Sequence, residues 1–405
     1  MKVIKKNAII KGVIDLTPSK SESNRALLIQ ALSKEKLTIN NLASAKDTQT
    51  FIELVNSDKI TWDVGPAGTT FRFLTAYSAI QPNQVRILTG SQRMLERPIH
   101  VLVDALRQLG ADIVYLGEEG YPPIQIKGKA LRGGEVSMRG DVSSQFISAM
   151  CMIGPCLDEG LTIHFITPPT SVPYINMTLK MMQHFGADVQ WQGESIVVKA
   201  KPYQGGDFTI ESDWSAASYW YELAALSEEV DLTIHGLKKE SLQADAQTAI
   251  LFDELGVETQ FVNNGVQLRK KAISAVKDVV DFTDCPDIAQ TLAATYAALG
   301  LEKRLTGLHS LRIKETDRIA ALKEELNGLG YEIVVEGDDL IVRAADNSGS
   351  REYEVKTYHD HRMAMAFAPL ALKRGAVLIQ DPEVVVKSYP EYWDHLQQVG
   401  FELED

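Results

Sequence analysis

The sequence is short of cysteine. Cys151, Cys156 and Cys285 are the only three among 405 residues, and no two of them form a CxxC pair or a zinc spacing. That excludes a disulfide scaffold and a cysteine-based metal site, and it points to a reducing compartment, the cytoplasm. No apolar run approaches the roughly 20 residues that a membrane-spanning helix needs. Residues 1–16 carry lysines but break their apolar run at Lys11 and Asp15, so no signal peptide is expected. Positive charge is scarce too: 41 Lys and Arg against 54 Asp and Glu leave a net charge of −13. This disfavours nucleic acid and acidic membranes as partners. What remains is 45% apolar and 23% charged, a folded chain long enough for two domains.

What the sequence has is repetition. Five amphipathic stretches end in an apolar residue followed by glycine, at Leu109-Gly110, Phe185-Gly186, Leu255-Gly256, Leu329-Gly330 and Val399-Gly400. Successive glycines lie 76, 70, 74 and 70 residues apart. A second helical stretch, rich in Ala, Ser and Thr, keeps the same rhythm, starting near Gly68, Ser143, Asp213, Asp287 and His361. An earlier copy begins near Lys20, with 47–57 as its shortened partner helix. Six units of about seventy residues result, and such a period must be read before any single motif.

Residues 143–200 give the pattern of one unit. A serine-capped helix runs from Ser143 to Leu157, and the β-branched residues 161–166 predict a strand. Pro168-Pro169 precedes a helix over 172–185 that Gly186 ends. Strands over 188–191 and 195–200 close the unit around Gln192-Gly193-Glu194. Each unit is therefore β-α-β-α-β-β, and hairpins are expected again around Gly120, Gly265 and Gly337. The Ala-rich helices, such as 289–299 and 363–372, are apolar nearly all round and belong inside; the Leu-Gly helices belong outside. The expected fold class is α/β (α+β), with two similar domains of three such repeats around buried helices, an inside-out α/β barrel. The domains are expected at 19–210 and at 1–18 plus 211–405. The sixth unit stops one strand short, and spare strand sequence over 3–10 and 12–16 is expected to complete it.

The unusual polar residues fall at helix starts. Lys20, Arg25, Arg72, Arg93, Arg97, Lys314, Arg318, Arg362 and Lys387 gather there in an otherwise acidic chain. A helix N-terminus already carries partial positive charge, so an added cation is unfavourable unless an anion neutralises both. A compact, highly charged anion is the expected ligand, bound in the cleft between the domains. Ordinary alternatives exist for each motif alone. Ser19 or Ser21 serves as a cap, Ala67-Gly68-Thr69-Thr70 as a plain turn, and Arg93 with Arg97 as a solvated face. Ser143, Ser144 and Ser171 exceed what capping needs, and Gln145 follows them. Asp287 reads as an N-cap. Lys314 and Arg318 read as one face of a helix, with Glu315 beside them. His359 and His361 invite a metal, but residues two apart diverge on a helix and no third ligand cluster is evident, so no metal is expected.

Taken together, these motifs resemble the 5-enolpyruvylshikimate-3-phosphate synthase family from end to end. The resemblance rests on Ser19-Lys20 with Ser23-Asn24-Arg25, Ala67-Gly68-Thr69, Glu96-Arg97-Pro98 and Val142-Ser143-Ser144-Gln145-Phe146. It continues in Lys314-Glu315-Thr316-Asp317-Arg318 and Asp360-His361-Arg362-Met363-Ala364-Met365. It implies a shikimate 3-phosphate site of Lys20, Ser21, Arg25, Ser143, Ser144, Gln145, Ser171, Asp287, Ser310 and Lys314. It implies a phosphoenolpyruvate site of Lys20, Gly68, Arg97, Gln145, Arg318, Arg362 and Lys387. Asp287, Glu315 and Lys20 are the implied catalytic groups of an addition-elimination with no cofactor. Pro66, Phe73 and Ser310 depart from the family's usual asparagine, proline and asparagine. A monomer is expected, since no dedicated interface signal stands out. The related transferase acting on UDP-N-acetylglucosamine usually carries a reactive cysteine in the loop matching 91–97, which here has none. A non-catalytic repeat scaffold is the alternative from another class, and it has no use for cations at helix starts.

Overall fold

The computed structural model describes residues 1–274, 277–344 and 353–405. The chain divides into two compact units, Ser19–Ile210 and Met1–Pro18 with Glu211–Asp405.

Within each unit the apolar, Ala-rich helices are the core. In the unit containing both termini, the helices Trp214–Leu226, Ala289–Leu299 and His361–Phe367 pack on one another. All seven residues of the last are buried, and so are nine of the eleven in Ala289–Leu299. In the other unit Lys20–Leu32, Gly68–Ala79 and Ser144–Ile153 take the same part. Small side chains let these helices approach closely while their outer faces meet the sheets. Burying every side of a helix is favourable because each removed apolar area stabilises the fold, at roughly 25 cal/mol per Å².

Five of the six sheets share one four-strand plan, repeated with the sequence period. In the third unit, Gly134–Arg139 runs parallel to Leu161–Thr167, which pairs antiparallel with Ser195–Val198; that strand forms the hairpin with Val189–Gln192. The expected hairpins around Gly120, Gly265 and Gly337 pair as Asp112–Tyr115 with Ile124–Lys127, Val257–Val262 with Gly265–Lys270, and Glu332–Glu336 with Asp339–Arg343. The first unit keeps only two strands, Leu37–Asn40 and Gly206–Thr209, in parallel. The five Leu-Gly-type ends also form as read. Gly110, Gly186, Gly256, Gly330 and Gly400 all have φ between 81° and 94°, the left-handed turn that stops a helix at little steric cost to glycine.

Two expectations need correction. Only Lys2–Ile4 completes the sixth sheet, between Ala376–Ile379 and Glu402–Glu404. The longer strand Ile9–Asp15 instead runs parallel to Glu229–His235 in the fourth sheet, where it supplies the missing first strand. The buried Lys5 ammonium fixes this junction by donating to the Val399 and Gly400 carbonyls, the open C-terminal end of Tyr392–Gln398. The other correction concerns Lys314. Its helix begins at Arg318, because Asp317 accepts from the Ile319 and Ala320 N–H groups and caps it there. Lys314 and Glu315 thus approach on the bend between His309–Ile313 and this helix, not on a shared helical face.

Candidate active site

In the unit Met1–Pro18 with Glu211–Asp405, the starts of Ala289–Leu299, Arg318–Gly328 and His361–Phe367 bring charged residues to one cluster. Asp287 sits in the short turn Pro286–Ile288 that leads into Ala289–Leu299. Its Oδ1 lies 3.2 Å from Arg318 and 3.6 Å from Lys314, and its Oδ2 lies 3.0 Å from Arg362. Glu315 lies 3.0 Å from Arg318 and 2.8 Å from Lys387. Ser310 is half-buried in the turn His309–Ile313 that precedes Lys314. Six of the seven site residues expected in this unit are thus joined in one ion network, the seventh being Ser310.

The electrostatics favour keeping Asp287, Arg318 and Arg362 charged. Burial pushes the Asp287 carboxyl up, but Arg362, Lys314 and Arg318 together pull it well below the ordinary carboxylate range. Burial works against the Arg318 guanidinium, yet Asp360, Glu315 and Asp287 hold it above its usual value. Asp360 is fully buried and takes Arg318 through two bonds, 2.7 and 3.3 Å, while its Oδ1 also accepts from the Arg362 N–H. Removing one partner of such a buried pair costs about 3–5 kcal/mol, because the other charge is left without compensation. Arg362 also donates to Tyr219 at 3.3 Å. Burial pushes that phenol up to about 12, so it meets the guanidinium as a neutral acceptor.

The unit Ser19–Ile210 holds a second cluster. Ser19 caps Lys20–Leu32, and the Lys20 ammonium lies 3.2 Å from Asp47. Asp47 is therefore the local anion that tolerates a cation at this helix start. Thr70, in the first turn of Gly68–Ala79, donates to the Asp47 carbonyl, and its neighbour Thr69 accepts from the Gln145 side chain at 3.0 Å. Gly68 stands where a side chain has no room: an added Cβ meets Arg72 Nη1 at 2.6 Å and Arg97 Nη1 at 2.7 Å. Two buried guanidinium groups are thus drawn over one backbone position. Arg97 is no part of a solvated face, whereas Arg93 pairs with Glu96 at the surface.

Arg25 is fixed in this unit by its own helix and by Val172–His184. It donates to Thr178 at 2.7 Å, to the Ser21 carbonyl at 2.9 Å and to the Tyr174 carbonyl at 3.5 Å. Its guanidinium lies 5.6 Å from the centre of the Phe73 ring, a cation–π contact that gives this departure from the family pattern a structural task. Burial lowers Arg25 to about 10, which leaves it charged at neutral pH. Ser143 caps Ser144–Ile153 through the Gln145 N–H. Ser171 starts Val172–His184 at φ +53° and makes no capping bond there. The supporting residues Asp47, Thr178, Tyr174 and Tyr219 had no motif of their own, whereas Thr69 and Asp360 stand inside motifs already named. Among the described residues no group of three or more His, Cys, Asp or Glu is placed to hold a metal ion.

The family model described as EPSP synthase (3-phosphoshikimate 1-carboxyvinyltransferase) matches residues 4–61 and 53–396 of the chain. The chain belongs to the EPSP synthase family. It is 46% identical over 397 residues to the 3-phosphoshikimate 1-carboxyvinyltransferase of Bacteroides fragilis strain YCH46, spanning 98% of this chain and 97% of that protein. The protein of the same name from Pasteurella multocida is 37% identical over 420 residues, spanning 95% and 94%. A solved EPSP synthase structure from Acinetobacter baumannii aligns over 100% of this chain and 99% of its own with a TM-score of 0.76 at 21% identity, which shows a shared fold. Inside that family, the clusters around Asp287 and Gly68 are where motif and geometry coincide.

Proposed function

We propose that this enzyme transfers the enolpyruvyl group of phosphoenolpyruvate to the 5-hydroxyl of shikimate 3-phosphate and releases inorganic phosphate. It is then a 3-phosphoshikimate 1-carboxyvinyltransferase of the shikimate pathway, serving chorismate and aromatic amino acid biosynthesis. The observation that carries this reading is Asp287, a half-buried carboxylate held by Arg362, Arg318 and Lys314 at a helix start, inside a chain matched almost end to end by the family.

Charge supports the assignment. Each phosphate carries roughly −1.5 to −2 at neutral pH, and each substrate adds a carboxylate. Bringing two such anions together demands several converging cations. Arg97, Arg318 and Arg362 offer planar forks to phosphoenolpyruvate, with Lys20 and Lys387 as point charges and Gly68 and Gln145 beside them. Ser21, Arg25, Ser143, Ser144, Gln145, Ser171, Ser310, Lys314 and Asp287 serve shikimate 3-phosphate, together with Lys20. The unit 19–210 supplies seven of the ten residues of the second set and four of the seven of the first, and the unit with the termini supplies the rest, including Arg318 and Arg362.

The chemistry is addition followed by elimination. The 5-hydroxyl oxygen bonds to C2 of phosphoenolpyruvate, Asp287 takes its proton, and C3 gains a proton to become a methyl group. Phosphate then leaves C2, and C3 returns a proton as the double bond re-forms. Lys20 and Glu315 are the groups for that delivery and return. Arg362, Lys314 and Arg318 favour the Asp287 anion and so lower its proton affinity. Substrate anions compete for Arg362, Arg318 and Lys314, and the burial that raises its proton affinity then dominates. The base is made by substrate binding. We further propose that the enzyme acts as a monomer in the cytoplasm; no helix of the described residues is long and apolar enough to cross a membrane. Turnover in deuterated water tests the route: deuterium enters the methylene of the product if C3 passes through a methyl group, and product without it overturns the sequence of steps.

A further inference from the structure

Just before Arg362 the chain makes a turn that its residues do not favour. The Asp360 N–H donates to the Thr357 carbonyl at 2.8 Å, and the two central residues are both left-handed, Tyr358 at φ +53° and His359 at φ +56°. Such a turn is normally supplied by Asn-Gly, because a side chain in this region crowds the backbone. Tyrosine followed by histidine will hold it only if the surroundings impose it.

The imposing group is Glu325. It is fully buried on the helix Arg318–Gly328, and it accepts from the Tyr358 hydroxyl at 2.6 Å and from the Lys356 N–H at 2.9 Å. Seven residues earlier on the same helix, two turns away, Arg318 takes Asp360. One helix therefore grips the turn on both sides. Asp360 leaves the turn to cap the next helix at the Arg362 N–H, and the Arg362 guanidinium reaches Asp287.

We propose that Tyr358 and Glu325 are a positioning pair for phosphoenolpyruvate binding: their hydrogen bond holds the strained turn that aims Asp360 and Arg362. This rests on the reading of Arg318 and Arg362 as phosphoenolpyruvate ligands. Neither residue of the pair touches substrate. If the clamp is released the turn relaxes toward right-handed geometry, the exit direction of the chain changes, and Arg362 loses its alignment with Arg318.

The test is steady-state kinetics on Tyr358→Phe, with and without His359→Gly. His359 is exposed, and glycine there removes the strain without removing a packed side chain. Tyr358→Phe is expected to raise KM for phosphoenolpyruvate about tenfold, with KM for shikimate 3-phosphate within about twofold of the parent. Adding His359→Gly is expected to restore most of the loss. A purely structural tyrosine lowers thermal stability and leaves both KM values alone, and that result overturns the proposal, as does failure of glycine to rescue. If Tyr358→Phe does not fold, Glu325→Gln with and without His359→Gly reads out the same clamp. Arg362→Lys in the same assay separates the two layers. Unchanged phosphoenolpyruvate binding there removes the site reading itself. Lost binding there, beside an unaffected Tyr358→Phe, removes only the positioning pair.

Discussion

Arg362 approaches Oδ2 of Asp287 at 3.0 Å, while Arg318 takes Oδ1 at 3.2 Å. Each oxygen of one half-buried carboxylate is thus claimed by a different arginine. Substituting Asp287→Asn keeps the shape and removes both the charge and the proton acceptor. Turnover is expected to fall about 10²- to 10⁴-fold, with phosphoenolpyruvate binding retained, since the two arginines lose their competitor. Equilibrium binding beside kcat checks this, and near-parental kcat removes Asp287 from the mechanism.

Gly68→Ala places a methyl group where Arg72 and Arg97 now converge. The atoms it meets are the ends of flexible side chains, so the fold is expected to survive while the guanidinium groups move apart. KM for phosphoenolpyruvate should rise about tenfold or more, equivalent to about 1.4 kcal/mol, and thermal unfolding should shift little. Unchanged KM shows that the convergence has no part in binding.

Lys20→Met and Arg97→Ala are each expected to abolish measurable turnover with near-parental thermal unfolding. Lys20 pairs with Asp47 at a helix start where a cation adds no stability of its own. Substantial activity in either variant counts against the site assignment.

Glu222 lies at the centre of the terminal unit's core with no exposed surface, and neither carboxyl oxygen has a hydrogen-bond partner among the described residues. Burial pushes its carboxyl well above the ordinary value. Below the unfolded-state value both folded and unfolded forms are protonated. As pH rises past it the unfolded chain releases the proton first, so stability falls by about 1.4 kcal/mol per pH unit until the folded carboxyl ionises. Glu222→Gln should remove that slope and unfold at a higher temperature than the parent at pH 8, with activity retained. Parallel stability curves for parent and variant across pH 5–9 would show that Glu222 is not the group responsible.

What was legible in the sequence was what is written locally. An apolar residue followed by glycine closes a helix by its own backbone preference, so the five ends and their spacing exposed the repeat. Buried helices were legible because Ala289–Leu299 and its counterparts have no polar face. Partners were not. Alternation shows that 9–15 is a strand but not which sheet edge receives it, and this strand went to the fourth sheet while Lys2–Ile4 alone filled the sixth. A capping side chain outweighed periodicity at Asp317. Arg25 is oriented by Thr178 and Phe73, which lie far away in sequence and belong to no anion-binding pattern. Motifs named the charges; long-range packing decided which of them meet.

The most direct measurement is phosphate release from phosphoenolpyruvate by the purified protein, with shikimate 3-phosphate present, absent, or replaced by UDP-N-acetylglucosamine. The account predicts rapid release only with shikimate 3-phosphate, matched one to one by enolpyruvyl product. Release with the nucleotide sugar instead, or no release with any partner, contradicts it.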